Sequence, residues 1–325
     1  MKIDELNLKI LHDLLSDGRK SFAEIGKETN TSKDVIAKRF KQMKAQGVIL
    51  GFTIQNSSRC YGANFVANLL ICVQRGKVKC TMQEVSKISN VIHVYPSSVR
   101  QAVSAEVILK SIEELESIQK FIYNFPFVLE IETTIWMGKR NFPENLSIFN
   151  GKQLTSNQPT VNGKIDITPK KAEVTEIDEI DKAITDKLAL NGRMPFEEIA
   201  KPLGVSTETI ARRYEKLKQN GDLKVVIQID PTKIGYYAFA LFQLSFSKGV
   251  WAETIDKLSA TFDVNFIIKA AGYFDLTFTL MIRDINHFLE IQDQMVTLPH
   301  VADMEVYIYR MFCPWPLQRE IISTF

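Results

Sequence analysis

Residues 178–221 read DEIDKAITDKLALNGRMPFEEIAKPLGVSTETIARRYEKLKQNG, and residues 4–47 read DELNLKILHDLLSDGRKSFAEIGKETNTSKDVIAKRFKQMKAQG. At an offset of 174 positions the two stretches share Asp-Glu, Gly-Arg, Phe-x-Glu-Ile, a serine (Ser32 and Ser206) and Ile-Ala. Beyond them the offset becomes 173, which is the result of a single deletion, and the match continues to the end of each copy. A fixed offset over such a span predicts that the 325-residue chain is a tandem duplication.

Each of the two stretches is predicted to form three short helices. In the first copy, Asp4, Ser21 and Ser32 each stand where the cap of a helix is expected, and apolar residues follow at helical spacing. The third helix is predicted to end at Gly47, after which a β-rich run leaves room for a short ribbon or wing. Three helices followed by a strand indicate a winged helix-turn-helix, whose third helix enters the major groove of DNA.

The outward face of each third helix is polar and basic. Residues 33–44 hold five bases and one acid, and residues 207–218 hold four bases and two acids. Such residues supply phosphate contacts, and base contacts near the start of the helix supply sequence choice. The side chains that we expect to contact DNA are Ser32, Lys33, Lys38, Arg39, Lys41 and Lys44 in the first copy, and Ser206, Thr207, Arg212, Arg213 and Lys216 in the second. A solvated surface or a protein-docking face is the alternative.

The last eighty residues of each copy are predicted to be a separate α+β unit. In residues 237–309 the hydrophobic pattern gives the order strand, helix, strand, strand, helix, strand. This order is typical of a ferredoxin-like fold, an antiparallel sheet with two helices on one face. We expect the bare face of each sheet to be covered by the sheet of the other copy, so that the chain forms an intrachain pseudo-dimer.

Both copies resemble the Lrp/AsnC family of feast/famine regulators. The resemblance rests on residues 178–221, on Ile234-Gly235, on AGYFDLTFTLMIRD at residues 271–284 and on LPHV at residues 298–301. It implies a sequence-specific transcription regulator with a helix-turn-helix followed by a RAM effector-binding domain. It also implies double-stranded DNA as partner, assembly into homo-oligomers and a small-molecule effector, often an amino acid.

The effector site that the resemblance implies lies at a glycine turn of the second copy. There Gly272 would let a ligand come close to the backbone, Tyr273 adjoins it, and Asp275 offers a carboxylate to an amino group. The alternative is that these residues only build a tight turn. The first copy has Val99 and Ala102 in place of the glycine and the aspartate, so we expect its site to be lost or altered.

The composition indicates a globular protein but does not show which function it has. Hydrophobic residues make up 45% and charged residues 24%, which is usual for a globular chain, and the net charge of +2 neither indicates nor excludes a polyanion partner. The four cysteines lack a paired spacing, so we expect neither disulfides nor a metal site, and no cofactor. The start of the chain resembles no secretory signal and no apolar run could span a membrane, so the expected location is cytoplasmic.

Two other functions stay open on the sequence. Siroheme decarboxylases share the Lrp/AsnC fold, and His93 and Tyr95 stand in the region of the tetrapyrrole pocket, although Arg100 is misplaced and the second copy has no histidine there. A lone histidine of this kind is usually structural, and no other catalytic motif is present, so we expect no enzyme activity. The other alternative is a ligand-sensing protein-interaction module that does not bind DNA.

The expected organisation is therefore α+β, with four small domains and one linker. Helix-turn-helix domains occupy residues 1–56 and 178–230, and RAM-like domains occupy residues 57–137 and 231–325, the last with a C-terminal tail. Residues 138–177 are rich in Asn, Gly, Pro, Ser, Thr and Lys and are predicted to be the linker.

Overall fold

The structure is a computed structural model that describes residues 3–97, 100–141, 177–247, 251–262, 264–317 and 320–324. The elements of the first copy are α1 (Glu5–Ser16), α2 (Phe22–Glu28), α3 (Lys33–Ala45), β1 (Ile49–Ser57), β2 (Phe65–Val73), α4 (Val78–Val85), β3 (Val91–Pro96), β4 (Ala102–Leu109), α5 (Ile112–Tyr123) and β5 (Val128–Asn141). Those of the second are α6 (Glu179–Leu190), α7 (Phe196–Leu203), α8 (Thr207–Gln219), β6 (Leu223–Ile229), β7 (Ala238–Phe246), α9 (Trp251–Thr261), β8 (Val264–Ala271), β9 (Leu276–Ile282), α10 (Ile285–Met295), β10 (Val301–Arg310) and β11 (Glu320–Thr324). The predicted fold class is confirmed in both copies. No helix in the described ranges is long and apolar enough to cross a bilayer.

Polar caps set the start of the helices in each trihelical unit. The side chains of Asp4 and Ser21 accept hydrogen bonds from backbone N–H groups of the first turns of α1 and α2, and Ser32 does the same for α3. Such caps satisfy donors that the helix itself leaves free. On α3, Ile36 and Met43 are fully buried, as the helical spacing predicts.

Each RAM-like unit is a four-stranded antiparallel sheet with two helices on one face. The strand order is β3-β4-β2-β5 in the first copy and β8-β9-β7-β10 in the second. Side chains alternate along β2, so that Leu69 packs in a core with Ile118 of α5, whereas Leu70 lies in a core with Phe239 and Tyr309 of the second copy. The two sheets therefore cover each other's bare faces, as predicted. They also join edge to edge, because β5 pairs antiparallel with β8.

The strand after each trihelical unit pairs with its counterpart in the other copy. β1 and β6 form an antiparallel ribbon in which Phe52 lies opposite Ile227. The sequence predicts a wing within each copy, but one strand alone leaves its backbone groups unsatisfied, and the other copy supplies the partner. Each strand of the ribbon also contributes a residue to the core of the opposite copy. Ile54 of β1 packs among the helices of the second copy, and the equivalent Ile227 of β6 packs among those of the first.

The predicted linker and tail differ in how much of them is described. β5 continues to Asn141, so the first four residues of the predicted linker belong to a strand, and residues 142–176 lie outside the described residues. In the tail, Trp315 is buried and exchanges two backbone hydrogen bonds with Ile229 of β6. β11 then runs parallel to β1 and antiparallel to β5. The described part of the tail thus packs within its own chain.

Two equivalent glycines allow the helical units to approach the ribbon. The backbone N–H of Gly18 donates to the Val225 carbonyl at 2.7 Å, and that of Gly192 donates to the Phe52 carbonyl at 3.0 Å. A Cβ atom at Gly192 would lie 2.8 Å from the Thr53 carbonyl oxygen, and one at Gly18 would lie 2.9 Å from the backbone nitrogen of Val226. Backbone atoms cannot move aside as a side chain can, so only glycine fits at either position.

We expect Gly192→Ala to lower the free energy of unfolding by about 1–3 kcal/mol, because the added methyl group collides with the ribbon. Urea denaturation followed by circular dichroism measures the change. The matched control is Gly51→Ala, since its Cβ would find only the end of the Gln228 side chain at 3.7 Å, and we expect an effect within about 0.5 kcal/mol. Equal losses in both variants would contradict the role of Gly192 in this contact.

Candidate nucleic-acid interface

The third helices α3 and α8 present most of the side chains predicted to contact DNA to solvent. Nine of the eleven are exposed: Ser32, Lys33, Lys38, Lys41 and Lys44 in the first copy, and Ser206, Thr207, Arg212 and Lys216 in the second. Lys33, Lys38 and Lys41 make no ion pair with any residue that the structure describes. An exposed ammonium group without a protein partner is free to contact a phosphate.

The other two predicted contacts, Arg39 and Arg213, are half-buried and already paired. The guanidinium of Arg39 donates to the Asp4 carboxylate at 2.6 Å, and that of Arg213 donates to Asp178 at the same distance. The hydrogen bond that Arg213 donates to Asp178 raises the pKa of Arg213. Because Asp4 and Asp178 cap α1 and α6, these equivalent pairs hold the first helix of each unit against the third. Their contact with DNA stays a prediction.

A reciprocal exchange of two arginines joins the helical units. The side chain of Arg193 donates to the Gly18 carbonyl at 2.6 Å, and that of Arg19 donates to the Met194 carbonyl at 2.7 Å. The Arg193 guanidinium lies 4.2 Å from the ring centroid of Phe52, and that of Arg19 lies 4.4 Å from that of Phe196. Burial lowers the pKa of both arginines, which nonetheless stay charged at neutral pH. The exchange thus fixes the relative position of α3 and α8.

The two arginines of this exchange stand at the same position in the two copies, but their repetition alone did not predict the contact. Gly18-Arg19 and Gly192-Arg193 are retained at the same place in both copies. The retention marks the pair as important in each unit. It does not show that each arginine reaches into the opposite unit, because the partners lie about 175 residues away along the chain.

One ion pair at this junction exists on one side only. The Lys218 ammonium lies 2.8 Å from the Asp17 carboxylate, whereas the equivalent residues on the other side are Lys44 and Asn191. Burial raises the pKa of Asp17, but the hydrogen bonds from Lys218 and from the Arg19 backbone outweigh it, so the net pKa is lowered. The junction is therefore not symmetric in charge.

The predicted effector residues lie where the glycine turn of the second copy meets β5. Tyr273 is exposed and lines a cavity between the two sheets. A Cβ atom at Gly272 would lie 3.3 Å from the Thr133 carbonyl oxygen, so the glycine permits a close approach of β5. The Asp275 carboxylate accepts a hydrogen bond from the backbone N–H of Phe246 at 2.9 Å. Val99, which aligns with Gly272, lies outside the described residues.

His93, which raised the decarboxylase alternative, belongs to a polar network between the sheets. Its Nδ1 lies 3.0 Å from one oxygen of Glu106, and the Tyr95 hydroxyl donates to the other oxygen at 3.2 Å. The His93 side chain is 10% exposed and is not among the residues that line the cavity. This geometry gives His93 a structural partner.

Comparison with known proteins identifies the family. The AsnC-type helix-turn-helix domain matches the chain twice, at residues 3–44 and 177–218. The HTH-type transcriptional regulator Ptr1 of Methanocaldococcus jannaschii is 31% identical over 113 residues, which are 35% of this chain and 76% of Ptr1. The chain belongs to the Lrp/AsnC family.

Two further likenesses place this Lrp/AsnC chain among its relatives. The HTH-type transcriptional regulator FL11 of Pyrococcus horikoshii is 29% identical over 119 residues, which are 35% of this chain and 79% of FL11. The crystal structure of the siroheme decarboxylase NirDL aligns with 98% of this chain and 93% of its own, with a TM-score of 0.62 and 16% identity. At this identity the likeness shows the two-copy fold alone and does not favour a decarboxylase.

The Asp17–Lys218 pair gives the Lrp/AsnC junction an acid-sensitive contact. Because the folded state lowers the pKa of Asp17 below its ordinary value of 3.8, the pair stabilises the fold above that pH. This stabilisation is lost as the pH falls through the lower, folded-state pKa. We expect Asp17→Asn to flatten the pH dependence of the unfolding free energy below about pH 5.

Urea denaturation between pH 3 and pH 6 measures that slope. Asp34→Asn is the control, because Asp34 is an exposed carboxylate on α3 for which no ion pair is found among the described residues. A slope that Asp17→Asn leaves unchanged would mean that this pair contributes nothing to the junction.

Proposed function

We propose that this chain is a sequence-specific DNA-binding transcription regulator of the Lrp/AsnC type. The observation that carries the proposal is the pair of third helices, which expose cations that pair with no described residue while Ile36, Met43, Ile210 and Leu217 are buried. The relatives Ptr1 and FL11 are named HTH-type transcriptional regulators, which supports the same function. Phosphate contacts from the exposed lysines and arginines would supply affinity, and residues near the start of each helix would supply sequence choice.

We also propose that the two third helices read different half-sites. The exposed positions Lys33, Lys38 and Lys41 of α3 correspond to Thr207, Arg212 and Glu215 of α8. A lysine, a threonine and a glutamate offer different hydrogen bonds to base edges and different charges to phosphates. In a dimer of identical chains both helices would be the same, so the fusion permits an operator that is not a palindrome.

The proposed effector is a small amino-acid-like molecule that acts near Gly272, Tyr273 and Asp275. The cavity that Tyr273 lines supports this proposal. We further propose that pseudo-dimers associate through the outer helices, because the equivalent residues Ile112 and Ile285 are both exposed, at 57% and 64%. Exposed apolar side chains at repeated positions are typical of an interface between copies.

Selection of bound fragments from genomic DNA tests the main proposal. We expect the selected fragments to contain two half-sites of different sequence. Lys38→Gln should weaken binding to them and reduce the slope of log affinity against log salt by about 1, because one phosphate contact is lost. Lys79→Gln, an exposed lysine on α4, is the matched control and should change neither quantity.

Other outcomes of this selection are equally informative. Identical half-sites would contradict the distinct roles of α3 and α8. The absence of any selected fragment at moderate salt would favour the protein-docking alternative.

The arginine exchange leads to an expectation about spacing. Because Arg19 and Arg193 fix α3 relative to α8, the intact chain should bind one half-site separation and lose about tenfold in affinity or more when base pairs are inserted. Arg193→Ala should shrink this penalty, since the units are then free to adjust. Arg212→Ala should weaken binding at every spacing without changing the penalty. Fluorescence anisotropy with spacer variants of the selected site measures both, and an unchanged penalty in Arg193→Ala would overturn the assignment.

A further inference from the structure

A cavity of about 400 Å³ lies between the two sheets and draws its lining from both copies. Its inner lining is formed by Asn68, Leu70, Leu241, Gln243, Phe274, Tyr307 and Tyr309, and its rim by Arg100, Glu130, Glu132, Thr133, Thr134, Tyr273 and Glu305. The volume is near the lower end of the range of about 300–1,000 Å³ that is usual for ligand sites. The cavity therefore suits a small ligand.

The cavity lies on the axis that relates the two copies. Five pairs of residues separated by 173 positions line it together: Asn68 and Leu241, Leu70 and Gln243, Arg100 and Tyr273, Glu132 and Glu305, and Thr134 and Tyr307. Equivalent residues can meet in one cavity only where the pseudo-two-fold axis passes through it. In four of the five pairs the two residues differ in chemistry. A ligand on this axis would consequently bind in one orientation, with one molecule per chain.

The charges of the rim leave an excess of negative groups. Of the three carboxylates, Glu132 pairs with the Arg100 guanidinium. Glu305 accepts a hydrogen bond from the Tyr307 hydroxyl, and burial together with this bond raises the pKa of Tyr307, so the phenol remains neutral. Glu130 is exposed and makes no ion pair with the described residues. Glu130 and Glu305 thus lack a cationic partner within the part of the chain that the structure describes.

A metal ion is not the cation that this geometry suits best. Glu130, Glu132 and Cys72 have ligand atoms within 4.8 Å of one another. However, the Arg100 guanidinium pairs with Glu132 and brings its own positive charge to the cluster. Burial raises the pKa of the Cys72 thiol, which disfavours the thiolate that a metal would need.

The inner lining offers apolar contact and one free polar group. Leu70 and Phe274 are buried, and Leu241 is partly buried. The Gln243 side chain is only 9% exposed and lines the cavity, and its amide makes no hydrogen bond to the residues that the structure describes. A buried amide without a partner is costly unless water or a ligand satisfies it. The lining therefore fits an organic body more closely than a bare ion.

We propose that this cavity binds one small organic amine per chain, with the ammonium group against Glu130 and Glu305 and the apolar body between Leu70 and Leu241. This proposal rests on the effector role proposed above and changes its ligand class, from an amino-acid-like molecule to an amine without a carboxylate. An amine suits the excess of carboxylates better than an α-amino acid does, since the carboxylate of an amino acid would have to displace Glu132 from Arg100 or face Glu130 and Glu305 directly.

Isothermal titration calorimetry with matched probes tests the proposal on the full chain without DNA. The probes are 3-methylbutylamine against leucine and 2-phenylethylamine against phenylalanine, which differ within each pair only by a carboxylate. We expect at least one amine to bind with a stoichiometry of one per chain and about tenfold or more tighter than its amino acid. Glu130→Gln and Glu305→Gln should each weaken that binding, and Glu290→Gln, an exposed carboxylate on α10, should not.

Several results would overturn the proposal: equal or tighter binding of the amino acids, two molecules per chain, unchanged affinity in both Glu130→Gln and Glu305→Gln, or no binding of any probe. Because Glu130 is exposed at the rim, Glu130→Gln keeps the test valid even if Glu305→Gln fails to fold. Failure here is distinct from failure of the regulator function, since the fragment selection uses no effector.

Discussion

The reciprocal contact of Arg19 and Arg193 is the constraint on which the arrangement of this molecule depends. Each guanidinium is buried against an aromatic ring of the opposite copy and donates to a backbone carbonyl there. A buried charge that loses its partners is costly, so neither unit can move alone without exposing or stranding an arginine. The ribbon of β1 and β6 is reciprocal in the same way, because each strand packs against the helices of the opposite copy. The two helical units consequently act as one rigid body that carries two different third helices.

Local pattern predicted the elements of this protein well. In the second copy the strands and helices from β7 to β10 follow the order that the hydrophobic pattern predicts, because each is a short element bounded by turn residues or caps. The packing of sheet on sheet also followed from the sequence, since each sheet had one apolar face without a helix. The pairing of β1 with β6 could not be predicted in this way. Hydrophobic alternation shows that a strand exists but does not show which strand it pairs with.

The candidate site was predicted less completely, for a related reason. Helical spacing correctly placed Lys33, Lys38 and Lys41 on an exposed face, but it could not show that Arg39 reaches Asp4, which lies 35 residues earlier. Of the residues that line the cavity on the pseudo-two-fold axis, only Tyr273 was among the predicted effector residues. The lining comes from residues that alternate along several strands of both copies, and only the packed sheets bring them together. The duplication made the architecture predictable. The function depends on positions at which the two copies differ, such as the third helices and the cavity lining.

The ribbon between β1 and β6 also bears on how the protein is made. The first helical unit leaves the ribosome with Ile54 and both edges of β1 uncovered, and Ile54 and the edge that pairs with β6 stay uncovered until β6 has been synthesised some 170 residues later. Contacts so distant in sequence form slowly, and a free strand edge can pair with another nascent chain. Two nascent chains could therefore exchange their second copies, giving an intertwined form with the same ribbon built from different molecules.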